Sequence, residues 1–385
     1  MSIARGELRK FVSPEILYGH GARHLAGPYA RRIGMARALV VTDPGVEAAG
    51  WVTPLLTSLA GNGVEAVVFD DVQPNPVAEQ VMRGAALFAE SRCDSIVALG
   101  GGSPLDCAEG IGVVATNGGH VLDYEGVDMV EAPMPPLVCI PTTAGTGADV
   151  SQFAIITDPV RRAKIALVSK SLVPDLALVD PEPLTTMDPA LTAATGMDAL
   201  AHSIEAYLSN ASWALTDELA LAAMRLIVEN LPRCVASGED LEARAQMALA
   251  SLDAGLAFSN ASLGAVHALA HALGGLLNAP HGECNALLLG PVMRRTLRDT
   301  PRARIDSIAE ALGVDVGARP AEDVAAWLTE FPAAIGMTTT LAQYGLTPDT
   351  VDDLAANAEA DACAATNPWD VTSDELVRIL RDAIA

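Results

Sequence analysis

Seven histidines occur in this 385-residue chain, and four of them (His202, His267, His271 and His281) fall in its second half. Asp198 and His202 stand four residues apart in GMDALAHSIEAY, a stretch of good helix formers, so both side chains leave one helical face a single turn apart. His267 and His271 repeat that spacing in GAVHALAHALGG, and His281 follows a proline in NAPHGECNA. One divalent ion could take Asp198, His202, His267 and His281, which leaves His271 beside it as a proton carrier. A lone histidine on an alanine-rich helix is ordinarily a hydrogen-bonded core residue. Two i, i+4 pairs and a third histidine after a break, in a chain otherwise poor in histidine, favour the metal. Glu205, three residues beyond His202, is an alternative ligand but fits better as a supporting hydrogen-bond or salt-bridge partner.

Two glycine-rich turns could hold phosphate. ALGGGSPLD follows an apolar run and precedes a helical stretch, so Gly100, Gly101, Gly102 and Ser103 can turn backbone N–H groups toward a diphosphate at a helix N-terminus. The plainer reading is a tight turn. In PTTAGTGAD, Thr142, Thr143 and Thr146 offer hydroxyls to phosphate or ribose, or else cap a helix. Asp43, in LVVTDPG, could accept both hydroxyls of an adenosine ribose and repel a 2′-phosphate; it could equally open a turn before Pro44. Lys164, in RRAKIAL, could reach a phosphate or ribose, and is otherwise a solvated surface lysine.

These residues need elements to position them. From Arg37 to about Pro181 short β-branched runs alternate with helical stretches, the pattern of an open parallel sheet. ALVVTD, VEAVVFD, SIVALGGG, PLVCIPTT and LALVD each read as a strand ending in a polar or glycine turn, and in such sheets ligands sit at the carboxyl ends of the strands. Beyond Pro181 the strand signals stop and the chain turns Ala- and Leu-rich with helical spacing. The prolines of DPEPLTTMDP mark the boundary. The expectation is an α/β dinucleotide-binding domain with a parallel sheet over 1–182 and an all-helical, metal-binding and catalytic domain over 183–385, with the site between them.

Composition narrows the partners. A formal net charge of −24 disfavours nucleic acid and anionic membranes. Six dispersed cysteines, none at CxxC spacing, read as buried thiols of a reducing cytoplasm rather than a zinc knuckle or disulfide scaffold. The opening MSIARGELRKFVSPE lacks the features of a secretory signal. The uncharged stretch from Asn260 to Pro280 contains His267 and His271 and no flanking basic cluster, so it reads as a buried helix with polar ligands, not a membrane span.

Taken together, the motifs resemble the iron-dependent, group III alcohol dehydrogenases, a family more distantly related to glycerol dehydrogenases and dehydroquinate synthases. The resemblance runs from FVSPEILYGHGA through VTDPGV, VQPNP, GGGSPLD, PTTAGTGAD, TGMDALAHSIEAY and GAVHALAHALGG to PHGECNALLLGP. It implies a two-domain fold, NAD as cofactor and metal ligation by Asp198, His202, His267 and His281. It places cofactor contacts on Asp43, Asn75, Gly102, Ser103, Asp106, Thr142, Thr143, Thr146, Ser151 and Lys164, His271 near the nicotinamide, and Phe258 in the substrate pocket wall. It also implies a small alcohol or aldehyde as substrate and a homodimer or larger homo-oligomer. Three departures stand out: Glu109 where Lys is frequent, Ala148 and Asp149 where Ser and Glu are usual, and Trp369 where Arg is common.

The chemistry so implied is metal-assisted hydride transfer between a primary alcohol or aldehyde and NAD(H), the ion acting as a Lewis acid and His271 passing the proton. Three imidazoles and a carboxylate suit Fe²⁺, Zn²⁺, Co²⁺ or Ni²⁺; iron follows from the resemblance alone. Two alternatives are a non-redox, dehydroquinate-synthase-like lyase that uses NAD transiently, and a cofactor-binding regulatory protein with little turnover. The first needs several Lys or Arg around the metal, and 260–290 contains none.

Overall fold

The computed structural model describes residues 8–384. MSIARGE, which opens the N-terminal stretch without secretory-signal features, lies outside the described residues.

Among the described residues nine strands form two sheets: β1 Glu15–Tyr18, β2 Arg37–Val41, β3 Glu65–Phe69, β4 Ser95–Gly100, β5 Gly126–Val127, β6 Leu137–Pro141, β7 Phe153–Asp158, β8 Ala163–Val168 and β9 Leu176–Val179. The main sheet has the order β1-β9-β6-β4-β2-β3, and every pairing in it is parallel. The central strands β4, β6 and β9 are buried at every position, as continuous apolar runs covered on both faces must be. Helices α1 (Ala26–Arg32), α2 (Pro44–Ala48), α3 (Val52–Gly61), α4 (Ala78–Glu90) and α5 (Gly102–Asn117) cover it. Period-two alternation divides the strand residues: Leu39, Val41, Ile96 and Ala98 pack with α4 and α5, whereas Ala38, Val40, Val97 and Leu99 pack with α1 and α3.

All five strands expected from the sequence lie in this sheet. The structure adds β1 at one edge and a separate three-stranded sheet, β5-β8-β7, whose β7 and β8 are antiparallel. In β7, FAIITD alternates half-buried and buried positions, the pattern of a strand with one sheltered face.

After Val179 the described residues form helices and no strand: α6 (Pro189–Leu208), α7 (Ala214–Ala236), α8 (Leu241–Ala261), α9 (Ala265–Leu277), α10 (His281–Thr296), α11 (Arg302–Leu312), α12 (Pro320–Ala334), α13 (Val351–Glu359) and α14 (Ser373–Ile384). The start of α6 is set by Asp188, whose carboxylate accepts from the Leu191 N–H, and by Pro189 in the first turn. The uncharged segment becomes the end of α8, a turn and the thirteen-residue α9, with His267 and His271 buried. Among the described residues no helix is long and apolar enough to cross a membrane. All six cysteines are buried and unpaired.

Candidate active site

Three helices bring the ligand candidates together. Asp198 and His202 leave one face of α6, His267 and His271 one face of α9, and His281 is the first residue of α10. Asp198 Oδ1 stands 3.6 Å from His267 Nε2, 3.6 Å from His281 Nε2 and 3.9 Å from His202 Nε2. Asp198, His267 and His281 offer donor atoms that all lie within 4.8 Å of one another. Such spacings match ligands that each sit roughly 2.0–2.2 Å from a shared cation.

Supporting hydrogen bonds aim the rings. His202 Nδ1 lies 3.1 Å from the Gly145 carbonyl, and its ring stacks on His267 and Phe258, each at 4.4 Å between centroids. His267 Nδ1 donates to Glu205 Oε2 at 2.6 Å, so its Nε2 faces the other donors. Glu205 also accepts the Val266 and His267 backbone N–H groups, which makes it a brace for the first turn of α9 and not a ligand.

The electrostatics suit a cation. Burial alone would raise the Asp198 carboxyl, but His202, His281 and His267 hold it well below the usual carboxylate range. Burial lowers His202 to about 4 against the pull of Asp198, and it pushes His281 well below its ordinary value. His267 moves the other way: burial disfavours its charge, yet hydrogen bonds to Asp198 and Glu205 carry it up to about 9. His281 is the least buried of the four, with 23% of its side chain exposed, and it opens the cluster toward the cleft.

That cleft is a cavity of about 860 Å³, with Asp198 and His281 on one wall and Asp43, Asn75, Gly101, Gly102, Ser103, Thr142, Thr143 and Thr146 on the other. The second wall is the carboxyl end of the main sheet. Gly102 opens α5, so free N–H groups of its first turn face the space. A Cβ on Gly102 would meet Thr146 Cγ2 at 2.7 Å, so something would have to shift, and one on Gly101 would meet Thr143 Cγ2 at 3.1 Å, a tight contact. The Asp43 carboxylate caps α2 by accepting from the Val46 N–H at 2.9 Å, and the residue also lines the cavity. Asn75, at φ 56°, reaches across to Asn278 Oδ1 at 3.1 Å.

A second, smaller cavity of about 150 Å³ continues inward. Asp106, Ser151, Lys164 and Phe258 line it together with His202, His267, His271 and Cys363. Lys164 is no free surface lysine: its stem lies against α9, so that a Cβ on Gly274 would be 2.7 Å from its Cε. Burial lowers its affinity for a proton. Among the described residues lining the two cavities Lys164 is the one Lys or Arg, a poor match for a multiply anionic substrate.

The second turn, PTTAGTGAD, does more packing than its glycines suggested. A Cβ on Gly145 would stand 2.6 Å from the Thr195 carbonyl of α6, and one on Gly147 would stand 2.6 Å from Gly255 Cα of α8. Of the departures, Trp369 is absorbed by the core: it lies in neither cavity, donates its indole N–H to Thr296 Oγ1 at 3.0 Å and carries the Arg295 guanidinium over its ring. Glu109 is fully buried on α5 with neither carboxylate oxygen hydrogen-bonded.

Two site residues lay outside the sequence reading. Asp361 Oδ2 accepts from His271 Nδ1 at 2.8 Å, and its other oxygen accepts the Cys363 N–H at 2.8 Å. Ninety positions separate Asp361 from His271, and no local spacing announces the pair. Asn285 places its amide nitrogen 2.6 Å from Asp198 Oδ1. It stands four residues after His281 in HGECN, the same spacing that drew attention to the other pairs.

Comparison with known proteins agrees along nearly the whole chain. Residues 13–181 match the family model described as iron-containing alcohol dehydrogenase, and residues 192–384 match that of the Fe-containing alcohol dehydrogenase family, C-terminal. The chain is 42% identical to alcohol dehydrogenase 4 of Schizosaccharomyces pombe over 96% of its own length and 87% of the relative's. It is 38% identical to the NAD-dependent methanol dehydrogenase of Bacillus methanolicus over 97% and 99% of the two chains. Among solved structures, a 1,3-propanediol oxidoreductase superposes with a TM-score of 0.94 at 39% identity, covering 98% of this chain and all of that one.

Proposed function

The chain belongs to the iron-containing alcohol dehydrogenase family, and from that premise we propose which of its residues carry out NAD-dependent interconversion of a primary alcohol and its aldehyde. Asp198, His202, His267 and His281 would hold the divalent metal. Gly101, Gly102, Ser103, Thr142, Thr143 and Thr146 would bind the NAD diphosphate and adjoining ribose, with Asp43 at the adenosine ribose and Asn75, Asp106, Ser151 and Lys164 toward the nicotinamide end. In this division residues 1–182 act as the dinucleotide-binding domain and 183–385 as the metal-binding domain.

When bound, the metal supplies a Lewis acid for the alcohol oxygen and NAD supplies the hydride acceptor. The protein's own residues do the rest. Phe258 and the other walls of the small cavity exclude water and face the substrate carbon. His271, held by Asp361, takes the hydroxyl proton as the alcohol is oxidised and returns it when an aldehyde is reduced. The six unpaired thiols support a reducing, cytoplasmic setting.

The observation that carries this reading is the convergence of Asp198 Oδ1, His267 Nε2 and His281 Nε2 at the wall of a cleft whose opposite wall is the GGGS turn. Metal analysis of purified protein, coupled to an alcohol and aldehyde screen with NAD and NADP, tests it. His267→Ala is expected to lose bound metal and turnover together; full activity in a metal-free His267→Ala protein ends the assignment.

A further inference from the structure

Asn285 is fully buried on α10. Its Nδ2 lies 2.6 Å from Asp198 Oδ1, 3.1 Å from His267 Nε2 and 3.2 Å from His281 Nε2. The amide nitrogen therefore points at the same three atoms that a cation would use. Its Oδ1 is turned away into the interior and has no hydrogen-bond partner. A buried carbonyl left unmatched is uncommon in a folded protein, and here it belongs to a group one bond rotation from the proposed metal.

The two ends of a carboxamide suit opposite situations. With its N–H bonds inward, the amide donates to the Asp198 carboxylate, an arrangement that needs no ion. A cation within about 2.2 Å of Asp198, His267 and His281 would meet those N–H dipoles at their positive ends. Turning the amide reverses the dipole and gives the orphaned oxygen a partner.

Resting on the metal site proposed above, the geometry points to Asn285 as a further member of that site: an amide that presents nitrogen to Asp198 in the metal-free protein and oxygen to the ion in the loaded one, tilting selectivity from zinc toward iron. The tilt follows from donor count. Asp198, His202, His267, His281 and the substrate oxygen already make five donors, and an amide oxygen adds a sixth. Zinc favours four and rarely exceeds five, so ligand number and geometry, not intrinsic affinity, would favour the ion that accepts six donors.

The test is the ratio of Fe²⁺ to Zn²⁺ dissociation constants, measured anaerobically by chelator competition on wild type, Asn285→Ala, Asn285→Leu and Asn285→Asp. The ratio cancels whatever each substitution does to the metal-free protein, and leucine fills the space if alanine fails to fold. Asn285→Ala and Asn285→Leu are expected to shift the ratio toward zinc by about tenfold or more, the scale of effect seen when groups supporting a metal site are removed. Asn285→Asp keeps an inward oxygen and is expected to retain the iron preference. An unchanged ratio in Asn285→Ala and Asn285→Leu, with both affinities falling together or neither, overturns the turning amide and leaves Asn285 a brace for Asp198. A wild-type protein that binds neither ion stoichiometrically overturns the metal site itself, and this inference with it.

Discussion

Replacing Glu205 by Gln changes one atom and removes one charge, yet the hydrogen-bond pattern makes it a severe test of the metal site. Both carboxylate oxygens act as acceptors: Oε1 takes the Val266 N–H at 2.7 Å, and Oε2 takes His267 Nδ1–H at 2.6 Å and the His267 backbone N–H at 3.3 Å. A carboxamide placed there must set its NH₂ against a donor whichever way it turns. If the nitrogen faces Val266, the first turn of α9 loses a buried acceptor, at about 1–3 kcal/mol. If it faces His267, the ring is driven to carry its proton on Nε2, the atom aimed at the metal. Mutations of such supporting partners weaken metal binding by roughly 10- to 100-fold, or about 1.4 to 2.8 kcal/mol. The assay is chelator competition on Glu205→Gln and wild type, with turnover recorded at saturating metal. The expected result is weaker binding by that factor and turnover that returns when metal is supplied in excess. Unchanged affinity would refute the claim that Glu205 fixes the His267 ring.

Asp361→Asn can keep the Cys363 N–H bond only by turning its NH₂ toward His271 Nδ1; kcat is expected to fall by about 100-fold or more, within the range of positioned acid–base catalysis, while KM for NAD holds, and a kcat within twofold of wild type counts against His271 as proton carrier. Gly102→Ala puts a Cβ 2.7 Å from Thr146 Cγ2; displacing either wall costs about 1–3 kcal/mol, read as a higher KM for NAD at unchanged metal content, whereas unaltered NAD binding would place the diphosphate elsewhere. Glu109 is raised well above its ordinary value by burial and by Asp106 and Asp149, so the folded state resists ionisation that the unfolded chain undergoes near pH 4.3. Stability is therefore lost as pH rises above that point, at up to about 1.4 kcal/mol per pH unit while the folded group stays protonated. Glu109→Gln should gain over wild type in urea unfolding at pH 8 more than at pH 5, and an equal difference at both pH values argues against a protonated buried Glu109.

What the sequence showed, it showed through local spacing. Asp198 with His202 and His267 with His271 are each one helical turn apart, so the side chains share a face wherever the helix goes. GGGSPLD after a strand places Gly102 at a helix start for the same local reason. The strands that were hard to read are those whose burial is set by tertiary cover: β1, at an edge, has the pattern exposed, half-buried, half-buried, exposed, and β7 and β8 belong to the separate three-stranded sheet, packed against α5 and α9. Asp361 could not be read at all, because its meaning lies in a contact 90 positions away. Asn285 had the right spacing after His281 but a residue type that rarely draws attention as a ligand.

The glycines of PTTAGTGAD show how the two halves of the site are joined. As a sequence they resemble a second phosphate turn, and Thr142, Thr143 and Thr146 do line the cleft. Yet Gly145 is small because α6 passes over it, with the Thr195 carbonyl 2.6 Å from where a Cβ would stand. That close approach is what brings the Gly145 carbonyl within 3.1 Å of His202 Nδ1. The turn on the proposed cofactor wall therefore also orients a proposed metal ligand, so a displacement of Gly145 would reach the His202 ring. Any coupling of cofactor occupancy to metal affinity through that carbonyl is reciprocal, each altering the other by the same factor.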